Sequence, residues 1–561
     1  MIRIGNCSGF YGDRFDAMRE MLTGGELDVL TGDYLAELTM LILGRDRMKD
    51  PTLGYAKTFL RQAQECLGLA LERGVKIVVN AGGLDPAGLA GKLRALADQQ
   101  GVRARIAHVE GDDLVSRATE LGLGTPLTAN AYFGAWGIVE CLDGGADVVV
   151  TGRVTDAALV VAPAAAHYGW ARDDYDALAG AVVAGHIVEC GTQATGGNFP
   201  RFTEIADLRR PGFPIAEVAA DGTSVITKHP GTGGVVNVDT VAAQLMYEIQ
   251  GARYGGPDVT TRLDTIELAQ DAPDRVRVSG VRGEAPPPEL KVSLTTLGGF
   301  RNEMEFVLTG LDIDAKADLA RRQLESWLPV RPAELEWTLV RLDRPDAETE
   351  EQASALLRCV VRDADPSKVG RAFANIAVEL ALASYPGCHF TTMPGNGSPY
   401  GVYTPAFVDA KLVPQTAVLP DGSRREIPPP DDTLPLGPVT EPPFPEPLSA
   451  SPTTRAPLGT VALARSGDKG GDANIGVWVR TDEQWRWLAH TLTVDLVREL
   501  LPETKDLPIT RHVLPNLRAL NFVIEGLLGA GVAYQARFDP QAKGLAEWLR
   551  SRHVDVPQVW S

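Results

Sequence analysis

Little in this sequence points to a metal, a disulfide or a membrane. Its six cysteines, Cys7, Cys66, Cys141, Cys190, Cys359 and Cys388, are scattered without a CxxC pair. That pattern offers neither a structural zinc frame nor a disulfide framework, and it fits reduced thiols. Cys388-His389 comes nearest to a metal site, but no third ligand stands beside it. No window approaches the ~20 apolar residues that a membrane-spanning helix requires. Neither GxGxxG nor a Walker loop occurs, so no nucleotide fingerprint is found. Basic residues are in deficit: 54 Lys and Arg against 73 Asp and Glu give a net charge of −19. That argues against nucleic acid and anionic membrane as partners, while leaving room for an anionic small molecule at a local basic loop. The chain opens on strand-like Met1-Ile-Arg-Ile without a leader-like stretch, so a cytoplasmic location is expected. No internal repeat is found.

What is there is an ordinary globular composition, long enough at 561 residues for more than one domain. Strand-like runs at Ile2, Leu27, Val75, Val102 and Gly145 alternate with helix-like segments such as Phe15–Leu22, Tyr34–Leu43 and Gly54–Arg73. This predicts an α/β fold with a mainly parallel sheet and helices on both faces. In such sheets ligands sit beyond the carboxyl ends of the strands. The loops there carry Asn6, Ser8 and Gly9, then Asn80, Gly82 and Gly83, then Arg153 and Asp156.

Further along, Cys190-Gly-Thr-Gln-Ala-Thr-Gly-Gly-Asn198 sets a thiol among glycines and hydroxyls. Lys228-His-Pro-Gly-Thr-Gly-Gly234 sets a cation and an imidazole in a similar loop. From about 250 to 420 extended segments take over, with helices expected at Ala315–Leu328 and Ala372–Ser384, which suggests an α+β portion with a second sheet. The large domain is thus expected over 1–440. A proline-rich run, 441–457, reads as a semi-rigid extended linker. The segment 458–561 reads as a small ferredoxin-like α/β sandwich, with helices at Glu483–Leu501 and Gln541–Arg552.

Within that last segment, Arg465-Ser-Gly-Asp-Lys-Gly-Gly-Asp-Ala-Asn474 lies between two strand-like runs. Hairpin closure needs only two to five residues. The stretch is longer and more charged than that, so it is expected to be a functional loop docking onto the large domain. The bland alternative is a solvated turn with salt bridges. The receiving surface belongs to the same chain or to a neighbour in a homo-oligomer, dimer or higher, and the sequence leaves both open.

The motifs Gly152-Arg-Val-Thr-Asp-Ala-Ala-Leu, Cys190–Asn198, Lys228–Gly234 and Arg465–Asn474 resemble those of the acyclic terpene utilisation protein A (AtuA) family, over nearly the whole chain. The resemblance implies a large AtuA domain, a C-terminal ferredoxin-like domain and docking between them. It also implies a place in terpene degradation through branched acyl-CoA intermediates, with a lyase step on a 3-hydroxyacyl-CoA among the activities suggested.

Cleaving or dehydrating a 3-hydroxyacyl thioester needs a general base and donors aimed at the thioester oxygen. Asp156, Asp468 and Asp472 are candidate bases, His229 is the candidate imidazole, and Cys190 is a candidate nucleophile. Arg153, Lys228 and Lys469 are candidate clamps for a carboxylate or phosphate. Amides near Gly82-Gly83, Gly196-Gly197 and Gly233-Gly234 are candidate oxyanion donors. Thr192, Gln193, Thr195, Asn198, Arg465 and Asn474 complete the expected binding surface. The structural alternatives are equally concrete: His229 orders its turn, Arg153 and Asp156 form an internal ion pair, and Cys190 is a small buried filler. The resemblance, together with these residues, thus implies an acyl-CoA lyase or hydratase, expected to need no metal or redox cofactor, with coenzyme A as a possible substrate carrier. A non-catalytic acyl-CoA-binding or assembly protein is the alternative.

Overall fold

A computed structural model describes the chain apart from residues 392, 438, 450 and 561. It has two compact units. One comprises Met1–Thr295, Tyr403–Val532 and Gln541–Ser561, and the other comprises Thr296–Val402 and Ala533–Pro540.

At the heart of the first unit lie the expected strands β1 (Ile2–Asn6), β2 (Val29–Gly32), β3 (Lys76–Val79), β4 (Ile106–Glu110) and β5 (Val148–Thr151). They run parallel in the order β1-β2-β3-β5-β4. The sheet does not stop there. On the β1 side it continues through β6 (Pro214–Val218), β7 (Ser224–Lys228), β9 (Arg275–Ser279) and β8 (Glu267–Ala272), all antiparallel. Beyond β4 it adds β10 (Gln415–Val418) and β11 (Arg424–Ile427), also antiparallel. The result is a mixed eleven-stranded sheet with a parallel centre rather than a mainly parallel one.

Side-chain alternation builds two cores. Val29, Val78 and Val149 face α5 (Trp136–Asp143), α6 (Ala158–Tyr168) and α7 (Tyr175–Val188) on one side. Leu30, Ile77, Val148 and Val150 face α1 (Ala17–Thr23), α3 (Lys57–Glu72) and α4 (Pro86–Gln100) on the other. Strands buried on both faces read as continuous Val/Ile runs, which is why the sequence marked them so clearly. Their shared direction brings Asn6, Asp33, Asn80 and Arg153 out at one edge. Beyond β2, α2 (Glu37–Lys49) starts at the same edge, and α8 (Val238–Leu245) follows β7.

The C-terminal segment is a four-stranded antiparallel sheet of β12 (Leu463–Lys469), β13 (Asp472–Trp478), β14 (Ile509–Leu514) and β15 (Ala519–Ile524), ordered β12-β13-β15-β14. Ile475, Phe522 and Ile524 face its own helices α9 (Asp482–Thr491), α10 (Val494–Leu500) and α11 (Leu545–Ser551). Leu463, Trp478 and Ala519 pack instead with Val241, Leu245 and Met246 of the α8 region. The long helix expected over Glu483–Leu501 breaks because Thr493 caps a new one, accepting from Leu496 N at 3.1 Å.

Two readings of this region need correction. Arg465–Asn474 is not a long loop but a hairpin: Lys469 pairs with Asp472, and only Gly470-Gly471 turns between β12 and β13. Gly470 takes φ +65°, which supplies the left-handed turn such hairpins use. Nor is 441–457 a spacer throughout. Thr453–Pro457 is a strand paired with His553–Pro557, and Arg486 and His490 hold the carbonyls of Pro445, Glu446 and Pro447.

The second unit is α+β but narrower than the stretch 250–420 suggested, since Glu267–Ala272, Arg275–Ser279 and Gln415–Val418 join the eleven-stranded sheet instead. Its sheet pairs Phe300–Thr309 with Ser354–Asp363, which pairs in turn with Glu334–Val340. Helices Ile313–Trp327 and Arg371–Leu380 cover a core of Phe306, Leu308, Leu324, Leu357 and Phe373.

Asn474 fixes β13 in place. Its amide donates to Met246 O and to Asn521 Oδ1, both at 2.9 Å, and accepts from Glu248 N at 2.9 Å. Asn474→Ala orphans buried groups and should lower unfolding stability by about 3 kcal/mol. An unchanged thermal midpoint would remove this residue from the docking account.

Candidate active site

At the carboxyl edge of the parallel strands, polar side chains first build a frame. Asn6 donates to Val188 O and Glu189 O at 2.7 and 3.0 Å and accepts from Ser8 N. Ser8 donates to Phe10 O, and Gly9 is needed because a Cβ there would lie 2.7 Å from the Cys190 backbone. Asn80 donates to Asp33 at 2.6 Å and accepts from Tyr34 N. Behind them Asp112 accepts from Arg153 N at 2.8 Å. These groups are committed to protein partners. They hold the α7 end and the β5 loop together.

Arg153 turns from that frame towards the site. It is buried, donates to Leu35 O at 2.9 Å, to Asp156 at 3.1 Å and to the Tyr132 hydroxyl at 3.2 Å, and stacks on the Tyr132 ring. Glu189 lies at the end of α7, 3.4 Å from His186 Nδ1. Glu248 follows α8, close to the hairpin that carries Asp468 and Lys469. Lys543 closes the group: its ammonium is 3.7 Å from Glu248 Oε1, 3.7 Å from Asp468 Oδ1, and bonded to the Tyr247 hydroxyl. Lys469 lies over the Tyr254 ring at 5.7 Å. Asp156, Glu248 and Lys543 keep about a third of their side chains in solvent, at 30%, 31% and 37%. Asp468 keeps 11%. These side chains line a partly solvated recess, more open at Asp156, Glu248 and Lys543 and more enclosed at Asp468.

Crowding carboxyls with little solvent raises their proton affinity. Burial, then Asp156, pushes Asp33 and Glu189 well above the usual carboxylate range. Burial lifts Glu248 to about 7 against the pull of Lys469. It lifts Asp468 to about 8, with Glu248 and Glu37 adding repulsion. His186 goes the other way, to about 4, through burial and the nearby Lys469. Burial opposes the charge of Lys469 too, but Tyr254, Glu248, Tyr132 and Glu37 together hold it above its usual value. Near neutral pH the cleft therefore pairs a lasting cation with two carboxyls able to give or take a proton.

Of the candidates named from sequence, Asp156, Arg153, Asp468 and Lys469 meet here. Arg465 sits beside them as a clasp: it bonds Gln193 Oε1 and Asn198 O and stacks over Tyr247 at 4.6 Å. Cys190 lies close by, but burial and Glu189 hold its thiol well above the thiolate range, the reverse of an activated nucleophile. Thr192 O accepts from Thr195 Oγ1, which reaches Gly212 O as well. Asp472 accepts from Gly526 N, just past β15, at 2.8 Å, which ties the hairpin to that segment.

His229 and Lys228 stand apart from the carboxyl cluster. His229 Nε2 is 2.9 Å from Met21 O, with Gly24 and Gly25 packed against its ring. Lys228 bonds Thr232 O and pairs with Asp274 at 3.1 Å. The glycine pairs serve close packing: a Cβ at Gly82 would lie 2.5 Å from Thr151 O, at Gly233 2.6 Å from Arg210 O, and at Gly234 2.3 Å from Thr195 O. The amides of Gly83, Gly196, Gly197 and Gly234 donate to Asn80, Gln193, Thr192 and Asp207 carbonyls, so these four are already used.

Sequence reasoning missed Asp33, His186, Glu189, Glu248, Tyr132, Tyr254 and Lys543. Glu189 carried a signal, a carboxylate ending an otherwise apolar helix just before Cys190. Glu248 carried one too, after the stretch Val241–Tyr247, apolar but for Gln244. Lys543 stands in an ordinary polar stretch and carried none.

The comparisons with known proteins agree with this layout. No curated protein matches the chain. Residues 456–555 match the AtuA ferredoxin-like domain, which contributes Asp468, Lys469 and Lys543 to the cleft. Residues 2–419 match the family model of the acyclic terpene utilisation family protein AtuA, which contributes Arg153, Asp156, Glu189 and Glu248. With both models matched in order along one chain, this protein belongs to the AtuA family of acyclic terpene utilisation proteins.

Proposed function

We propose that the chain is a cytosolic catabolic enzyme, a lyase or hydratase that acts on a branched or terpenoid 3-hydroxyacyl-CoA or enoyl-CoA by general acid–base catalysis. The reading takes its substrate class from the family's tie to acyclic terpene utilisation. One observation carries its chemistry: the Lys543 ammonium lies 3.7 Å from each of two carboxyls, Glu248 and Asp468, whose titration falls near 7 and 8. A pair poised around neutrality is what proton transfer in both directions needs. The ionised member takes the proton from the 3-hydroxyl or the α-carbon, and the protonated member returns one to the leaving group. Lys469 faces the negative charge that develops on the thioester oxygen. A pure binding role would not need such a pair, and it remains the second reading only as an acyl-CoA holder with no turnover.

Incubating the protein with a panel of 3-hydroxy and 2,3-unsaturated acyl-CoAs, followed by mass spectrometry, tests the reaction class. Product is expected with the native protein. Glu248→Gln and Asp468→Asn are expected to lose on the order of 100-fold or more in turnover. Saturable binding without product from any member of the panel would establish the holder instead.

The same carboxyl predicts a stability effect of definite sign. A carboxyl raised in the folded state adds stability that is complete below its unfolded value near 4 and is lost as pH rises through about 8. Asp468→Asn should therefore be relatively more stable than the native protein above pH 8 than at pH 5, as read by thermal midpoints. A constant difference across that range would show that Asp468 titrates normally.

Lys469→Ala should cut turnover strongly and also lower the thermal midpoint, because Tyr254 and Glu248, against burial, hold its proton affinity above the usual value in the folded state. Loss of stability with retained turnover would make it a structural residue.

A further inference from the structure

We propose that Tyr132 is a further acid–base residue of this cleft, a phenol that Arg153 and Lys291 hold ready to act as its phenolate. The assignment rests on the acid–base reading above and adds a residue outside the sequence motifs. Tyr132 follows the strand Thr128–Ala131, and its backbone N–H donates to Lys291 O at 2.9 Å, which fixes the ring between two cations. Arg153 Nη2 donates to the phenol oxygen at 3.2 Å, and the guanidinium carbon lies 4.4 Å from the ring centre. The Lys291 ammonium lies 5.0 Å from the same ring and 5.8 Å from that of Tyr403.

A guanidinium can only donate. At that bond the phenol oxygen is the acceptor, so its own proton has to point elsewhere or leave. The groups that face it come from every neighbouring element: Arg153 after β5, Lys291 on the strand Glu289–Thr309, Glu37 at the start of α2, Lys469 on the hairpin, and the Tyr403 phenol. Burial favours the neutral phenol, but Arg153 and then Lys291 outweigh it and hold Tyr132 below the ordinary tyrosine value. A merely structural Arg–Tyr stack needs no second cation over the ring.

In the step proposed, the phenolate oxygen takes the proton from whichever of the two substrate positions, the 3-hydroxyl or the carbon beside the thioester carbonyl, the Glu248 and Asp468 pair does not serve. The phenol O–H forms and the substrate bond to that proton breaks. The electron pair stays on the substrate, whose new charge faces Lys469. The phenol returns the proton in the second half of the reaction.

Ultraviolet absorbance titration of the full chain tests this without any substrate. One of the twelve tyrosines should form its phenolate below the usual value of about 10, and this signal should vanish in Tyr132→Phe. In Lys291→Met the same signal should move to higher pH, which reads the effect in a chain that keeps the phenol. With an acyl-CoA that is turned over, Tyr132→Phe should lose on the order of 100-fold in kcat. A titration identical in native protein and Tyr132→Phe below pH 10 overturns the proposal, as does native turnover in Tyr132→Phe. An early phenolate in a protein that turns over none of the acyl-CoAs supports Tyr132 as the activated group and removes the thioester chemistry instead.

Discussion

The close seating of β12 and β13 against the end of α8 is the constraint on which the cleft depends. A Cβ at Gly467 would lie 2.3 Å from the Tyr247 ring, and one at Gly476 would lie 2.4 Å from Met246 Cβ. Only glycine lets the two backbones approach so closely. That approach carries Asp468 and Lys469 out of water and against Glu248. Shielding the floor from solvent is what moves the carboxyls into the neutral range, since repulsion among exposed carboxylates is heavily damped. Docking and electrostatics are therefore one event: the cleft has its proton chemistry only where the hairpin is seated.

This arrangement sets local stability against function. Asp33, Glu189, Glu248 and Asp468 all carry raised proton affinities, so ionising any of them works against the fold. The frame holds them in place. Asn6, Asn80 and Asn474, neutral amides buried and bonded to protein partners, fix the backbones from which the strained acids project. Neutral groups do the holding, because a buried amide with all its partners adds order without adding charge.

How much of this was legible in the sequence follows from what kind of signal each feature leaves. The central strands were readable because burial on both faces makes apolar runs such as residues 77–79 and 148–150. The antiparallel flanks were not, because β6 and β10 pair with strands far away in sequence, and pairing of that kind leaves no local trace. Gly470-Gly471 is a two-residue hairpin, yet the charges around it disguised β12 and β13 as one long loop. Strand alternation explains them: Ala464 and Ala473 pack towards the small domain's core, while Arg465 and Asn474 reach the large domain. His229 drew attention through its glycines, but those glycines make room for its ring as a packing element. Glu248, Tyr132 and Lys543 acquire meaning only from contacts across many residues, such as the 296-residue span between Tyr247 and Lys543.

The joining of the two family domains in one chain fits a site assembled from both. A short tether that spans its distance typically raises the effective concentration of the two halves to the millimolar range. Here the tether is more than a leash. Residues 445–447 are held by Arg486 and His490, and Thr453–Pro457 runs as a strand beside His553–Pro557. Pinning this stretch to the small domain narrows the orientations in which the hairpin meets α8. Proline restricts that stretch further by fixing φ before docking occurs. Much of the ordering that a site built from two domains requires is thus met by the chain's own covalent geometry.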